Sequence, residues 1–258
     1  MGGLLQGVYA FTGIVRFWSA QRPLAAGPDD RLRADVLYER WRLAIELVTR
    51  DLLGSGVLTP DGTRFVTMLR ERGQQPSAEP VPAEPVSAEA LEIAREIALD
   101  NQLTWQLRHE AVDAAAVAAL AAAYQRGEPP RQPLPATRIE DDVRKVDSVA
   151  RSRLLNMRYQ EPGRYSQLAA ADLPELGPAD ILLVRGDATA AAAAYRAELV
   201  AEPDPASWIG LALAVRRLTV MSSKPLFAHR LPLLFEVHKC LAGHGVHADP
   251  LDLSAWFA

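Results

Sequence analysis

Residues 30–53 carry the longest unbroken helical pattern in the sequence. Leu37, Trp41, Ala44, Val48 and Leu52 recur at spacings of four, three, four and four, which stacks them on one face of a 3.6-residue helix. Such a stripe has to be covered by other elements. No stretch alternates apolar and polar residues in the manner of a half-buried strand, so the cover must come from further helices. "DILLVRGD" (180–187) is the single candidate for a short strand, and it fits a helical turn as well. The expected fold class is all-α.

The remaining helices follow from their start and stop signals. Residues 4–21 read as a first helix with Leu5, Val8, Tyr9, Phe11, Val15 and Trp18 on its apolar side. Gly7 and Gly13 would let neighbours approach it closely. Pro23, Gly27 and Pro28 break the chain, and Asp29 and Asp30 can cap the helix that follows. Gly54 and Gly56 end that helix. Thr59-Pro60-Asp61 opens a shorter one through Phe65, Met68 and Leu69. Ser87 starts another that carries Leu91, Ala94, Ile97, Ala98 and Trp105.

Two proline-rich stretches, "QQPSAEPVPAEPVS" and "GEPPRQPLPA", cannot be helix or central strand, since each proline lacks a donor N–H. They divide the chain into an N-terminal helical part (1–73), a linker (74–87), a helical pair (88–126), a loop (127–137) and a helical C-terminal part (138–258). Residues 138–160 carry a charged helix pattern. Within the last part, "GDATAAAAAYRAELVAEPDPASWIGLALAV" reads helix, turn, helix. Small residues Ala190–Ala194 allow close packing, Tyr195 and Leu199 supply bulk, and Trp208, Leu211 and Val215 share a face. This looks like a tetratricopeptide-type hairpin.

A formal charge of −4 over 258 residues leaves no basic excess to replace counterions, which argues against nucleic-acid partners. The apolar start lacks a basic leading region and is interrupted by Arg16, too early for a membrane span. Cys240 is the only cysteine, so no internal disulfide forms and a cytoplasmic location is expected.

Two stretches invite a metal reading. In "LRHEAVDAAA" (107–116), His109 and Asp113 are four residues apart, as two ligands on one helix face would be. Asp113 also stands where an N-cap belongs, ahead of "AAAVAALAAAY", with Arg108 and His109 ending the preceding helix. A turn between them would destroy the ligand geometry. In "HKCLAGHGVH" (238–247), His238, Cys240, His244 and His247 lie close in sequence. His238 and Cys240 point about 200° apart on a helix, and Gly243 and Gly245 mark a helix end. A small zinc protein using His238, His244 and His247 is one reading of this stretch. Phosphate-binding loops and Gly-x-Ser-x-Gly elbows are absent from the sequence. Asp29/Asp30 and Glu140/Asp141/Asp142 read as helix starts.

Taken in order, "GGLLQGVYAFTGIVRFW", the hairpin stretch and the ending "ADPLDLSAWF" resemble the HExxH-motif peptide-modification proteins of ribosomal-peptide biosynthesis. These are also described as 2-oxoglutarate-dependent HExxH-type peptide β-hydroxylases. The resemblance implies a ribosomal precursor peptide as substrate, with Fe(II) and 2-oxoglutarate as cofactors of a full-length enzyme. It also places the metal-binding motif upstream of the first helix. The 258 residues hold no His-Glu-x-x-His, and His109-Glu110 lies far downstream of that position. The chain is therefore expected to bind no metal itself and to be the C-terminal portion of a longer peptide-modifying protein, inactive alone. The alternative is a non-catalytic helical scaffold that binds a peptide or a peptide-maturation enzyme. Gln6 and Tyr9, on the helix most specific for the resemblance, are the candidate substrate-binding residues. Gln6 is expected on the buried side, where it would need a partner.

Overall fold

The computed structural model describes residues 2–56, 58–74, 84–140, 144–146, 149–167, 176–218 and 226–257, with the side chains of 2–5, 74 and 226–229 excepted. Among them are twelve α-helices: α1 (Gly2–Gln21), α2 (Pro28–Gly54), α3 (Pro60–Gln74), α4 (Ala88–His109), α5 (Ala114–Gln125), α6 (Val149–Gln160), α7 (Pro162–Gln167), α8 (Pro178–Val184), α9 (Ala188–Ala201), α10 (Pro205–Leu218), α11 (Leu226–Gly243) and α12 (Pro250–Trp256). Strands β1 (Glu110–Ala111) and β2 (Arg138–Ile139) form one short antiparallel pair. The fold is all-α, and none of these helices is long and apolar enough to cross a membrane.

The chain gathers into two compact units, Met1–Ala98 with Leu155–Gln167, and Leu99–Leu154 with Leu168–Ala258. It passes from one to the other inside α4 and inside α6, whereas the division read from the sequence follows the proline-rich stretches. Most of the 74–87 stretch lies outside the described residues.

In the first unit α1, α2 and α3 pack on one another. Their shared core holds Val8, Val15, Tyr38, Ile45, Leu52, Val66 and Leu69, with Phe11, Trp18 and Trp41 partly buried against it. The expected stripe on α2 is only half right. Leu37, Trp41, Ala44 and Val48 are partly buried, while Tyr38, Ile45, Thr49 and Leu52 are buried. The deepest line has turned because α2 is covered on more than one side. Thr49 can lie there because its hydroxyl donates to the Ile45 carbonyl at 2.6 Å. The N-cap of α2 is Gly27, with Asp29 and Asp30 in the first turn rather than at the cap. Arg22 is buried as well. Its Nε donates to Asp35 at 2.6 Å, its Nη2 to the Glu84 carbonyl at 2.6 Å, and its guanidinium lies 5.0 Å from the Tyr38 ring centre. Glu96, from α4, accepts from Arg158 of α6 at 2.7 Å within the same unit.

In the second unit α9 and α10 pack on each other as a helical pair, with α8 packed on both and α11 against α10, α5 and α12. "DILLVRGD" falls mostly in α8, so its helical reading holds. Residues 138–139 are strand, and among the described residues helix resumes at Val149, which corrects the helical reading of 138–160. Arg144 anchors the described residues between them. Its N–H donates to the Arg108 carbonyl and its side chain to the Leu107 carbonyl, both at 3.0 Å. It also pairs with Glu236 and lies over the Phe235 ring. Those contacts tie residues 144–146, which are neither helix nor strand, to the end of α4.

Candidate functional site

The two metal stretches come apart in the structure. α4 ends at His109, β1 follows, and Asp113 caps α5 by accepting from the Ala116 N–H at 2.9 Å. His109 packs instead on Trp105, ring centres 5.2 Å apart. His238 is buried with both nitrogens engaged. The Trp208 indole N–H donates to Nδ1 at 3.3 Å, and an indole nitrogen can only donate. Nδ1 is therefore bare, and Nε2 carries the proton that it donates to the Ala248 carbonyl at 3.1 Å. Burial holds this imidazole below its ordinary pKa, against weaker opposing pulls from the Ala248 carbonyl and Asp249. A neutral ring with no free nitrogen does not ligate a metal. His247 turns its Nδ1 to the Val200 carbonyl at 3.0 Å, and His244 lies 4.0 Å from Cys240 Sγ. Among the described residues no three His, Cys, Asp or Glu side chains could together hold a metal ion. The iron implied by the resemblance thus finds no fitting donor set there, and no iron-dependent step follows from these residues.

Gln6 and Tyr9 are both on the outer face of α1. Gln6 is exposed, against the expectation of a buried side, and Tyr9 is 65% exposed although it was placed on the apolar stripe. Val8, Thr12 and Val15 take the buried line, and the Thr12 hydroxyl donates to the Val8 carbonyl at 2.9 Å.

A dense assembly of titratable groups surrounds Arg151 in the second unit, at residues that sequence reasoning did not single out for function. Arg151 is 2% exposed. Its Nε donates to Asp100 Oδ1 at 3.1 Å, and its Nη1 to Asp180 Oδ1 at 3.2 Å and the Ala206 carbonyl at 3.0 Å. The second Asp100 oxygen accepts from Ser152 at 2.6 Å. Asp180 Oδ1 also accepts from the Tyr195 hydroxyl at 2.6 Å. One guanidinium thus ties together groups from α4, α6, α8 and α10, and α9 joins through Tyr195. Burial works against the Arg151 charge, but the carboxylates of Asp100 and Asp180 outweigh it, so the cation is held firmly. Burial and then the Asp180 charge push the Tyr195 phenol above its usual range, so it stays a donor. Nearby, Ser207 donates to Glu198 at 3.0 Å. Burial raises the Glu198 pKa, and the charges of Asp180 and Asp204 add to that.

Chemically this cluster is committed. Its phenol and both oxygens of Asp100 already hold partners, leaving no free base or nucleophile among them, while of the Arg151 guanidinium only the buried Nη2 has no hydrogen-bond partner. Asp180 alone is partly open, with its side chain 21% exposed. The signal for it was present in the sequence. Arg151 precedes Leu154 and Leu155 by three and four residues, and Asp100 sits three from both Ile97 and Leu103, so each charge lies on an apolar line. A charge in that position has to find a buried partner. Compared with protein-family models, with curated proteins and with solved structures, the chain matches none.

Proposed function

We propose that this chain is a helical binding portion of an HExxH-type peptide-modification system, engaging a ribosomal precursor peptide or its maturation enzyme without iron chemistry of its own. The order of three stretches along the sequence supports the family reading. One observation carries the binding role: the first unit leaves large apolar side chains in the open. Tyr9, Phe17 and Leu24 are more than half exposed, and Phe65 and Met68 on α3 are 38% and 37% exposed. Single exposed apolar residues are ordinary, but Phe65 and Met68 stand three residues apart on one face of α3, and paired exposure of this kind is what a contact surface offers. The charged groups nearby, such as Arg22 and Asp35, are spent in holding the helices. Fe(II) and 2-oxoglutarate belong in this reading to a catalytic partner or to further sequence bearing the His-Glu-x-x-His motif.

The test uses precursor peptides encoded beside the protein's own coding sequence, labelled and titrated with the purified chain. Binding is expected, with Phe65→Ala and Met68→Ala weakening it about tenfold each, as for apolar anchors. The peptide should gain no oxygen on incubation with this chain, Fe(II) and 2-oxoglutarate. Absence of binding, or hydroxylation by the chain alone, would overturn the reading.

A further inference from the structure

Within the second unit, α9 and α10 are joined to α11 and the turn before α12 at several points. Toward the outside, Arg196 of α9 pairs with Asp249 at 2.6 Å, and His247 Nδ1 lies 3.0 Å from the Val200 carbonyl. At the buried centre, the Trp208 indole N–H donates to His238 Nδ1 at 3.3 Å. The outer links tolerate acid. A carbonyl only accepts, so His247 Nδ1 already donates, and a second proton on that ring leaves the bond intact. Against burial, Arg196 and the N–H groups of Asp252 and Leu251 keep Asp249 below the ordinary carboxylate range.

The central link does not tolerate it. A proton on His238 Nδ1 sets N–H against N–H, two donors with no acceptor between them. On the other side of the ring, the bond from Nε2 to the Ala248 carbonyl keeps its sense and gains from the charge. A charged ring therefore stays with Ala248 and rejects Trp208. Trp208 and His238 are 0% and 1% exposed, so no water is at hand to take either N–H. The surroundings do little for the charge. Burial opposes it most, and Asp249, whose carboxylate does act on the ring, is held by Arg196. α10 is uncharged from Pro205 to Val215. On α11, Glu236 pairs with Arg144, and Lys239 is exposed. Asp252 of α12 is exposed, and Glu110 of β1 has contacts of its own. Burial, with Asp252 and Asp249, raises the Tyr124 phenol of α5, which stays neutral.

We infer that His238 is an acid-operated latch: a proton on Nδ1 releases Trp208, so that α10 parts from α11 there while Arg196 and His247 keep α9 tied to the turn before α12. The open form takes up one proton more than the closed form. Its fraction should therefore rise as pH falls below the ordinary imidazole value of 6.5, by up to about tenfold per pH unit, and level off once the closed ring titrates as well.

Proton NMR of the indole N–H groups in the full chain tests this. The chain has five tryptophans, and Trp208→Phe identifies the Trp208 signal. Solvent exchange of that N–H is followed from about pH 7 to about pH 5, relative to free indole at the same pH. Its protection should fall toward tenfold per pH unit. Trp256 is the internal control. Its indole N–H donates to the Glu128 carbonyl at 2.9 Å, an acceptor that does not titrate, so its protection should hold. His238→Gln puts an amide at the position, which accepts from the indole at any pH, and should keep Trp208 protected throughout. Protection of Trp208 that is the same at both ends of the range would overturn the inference. So would equal losses at Trp208 and Trp256, which signal unfolding of the whole unit, or the same loss in His238→Gln.

Discussion

Gly210→Ala is the sharpest probe of how the α9–α10 pair is built. Gly210 faces Tyr195 across α9 and α10, and a Cβ there would stand 2.5 Å from the Tyr195 oxygen and closer still to Cε1 and Cζ. Ordinary carbon contacts begin near 3.5 Å, so the ring would have to retreat by about 1 Å. It has nowhere to go: Tyr195 is 1% exposed, and Asp180 holds its hydroxyl at 2.6 Å. Overpacking of this kind costs about 1–3 kcal/mol. Loosening a hydrogen bond to a carboxylate costs about 1.5–3 kcal/mol more. Alanine returns about 1 kcal/mol through its better helix propensity. The expected net loss is roughly 1.5–5 kcal/mol, read from urea denaturation followed by circular dichroism. The decisive arm is the Tyr195→Leu background. Without the ring, the same Gly210→Ala change should stabilise, by up to about 1 kcal/mol. The sign should therefore invert between backgrounds. Equal effects in both, within about 0.5 kcal/mol, would refute the argument that ring contact is why position 210 is glycine.

Other consequences can be measured in the same way. Arg151→Met leaves the Asp100 and Asp180 carboxylates without their cation and should cost about 3–5 kcal/mol; Arg151→Met with Asp100→Leu should cost much less than the sum of the two single changes. Asp113→Ala removes the α5 cap and should cost about 0.5–2 kcal/mol. Because burial depresses the His238 pKa, the unfolded chain binds the proton more readily. Stability should fall as pH drops below the ordinary value of 6.5, and His238→Gln should flatten that slope in pH-dependent thermal melts. Glu198 has the opposite sign: burial raises its pKa, so its charge opposes folding at neutral pH. Glu198→Gln should raise stability at pH 7, and the gain should vanish on acidification below the ordinary 4.5.

Local signals survived folding well. Asp113 and Ser87 act as caps where their position ahead of apolar runs suggested, since a cap needs only the next three residues. Gly243 and Gly245 end α11 as read, with Gly245 at φ 74. The separation of His109 from Asp113 was legible for the same reason. What failed were statements about faces. Gln6 and Tyr9 were assigned to the inner side of α1, and the buried line runs through Val8, Thr12 and Val15 instead. An almost uncharged helix gives periodicity little contrast, so its buried side is chosen by its neighbours α2 and α3.

The sequence alone determined the all-α class, the near extents of α1, α2 and α5 and the loss of the His109–Asp113 geometry, because propensity, caps and breakers act over a few residues. Tertiary structure decided which charges go inside and which apolar groups stay out. Arg151 meets Asp100 and Asp180 across 51 and 29 residues, and His238 meets Trp208 across 30. Burial is a property of surroundings that the chain supplies from far along its length, so a single stretch, read by itself, does not contain it.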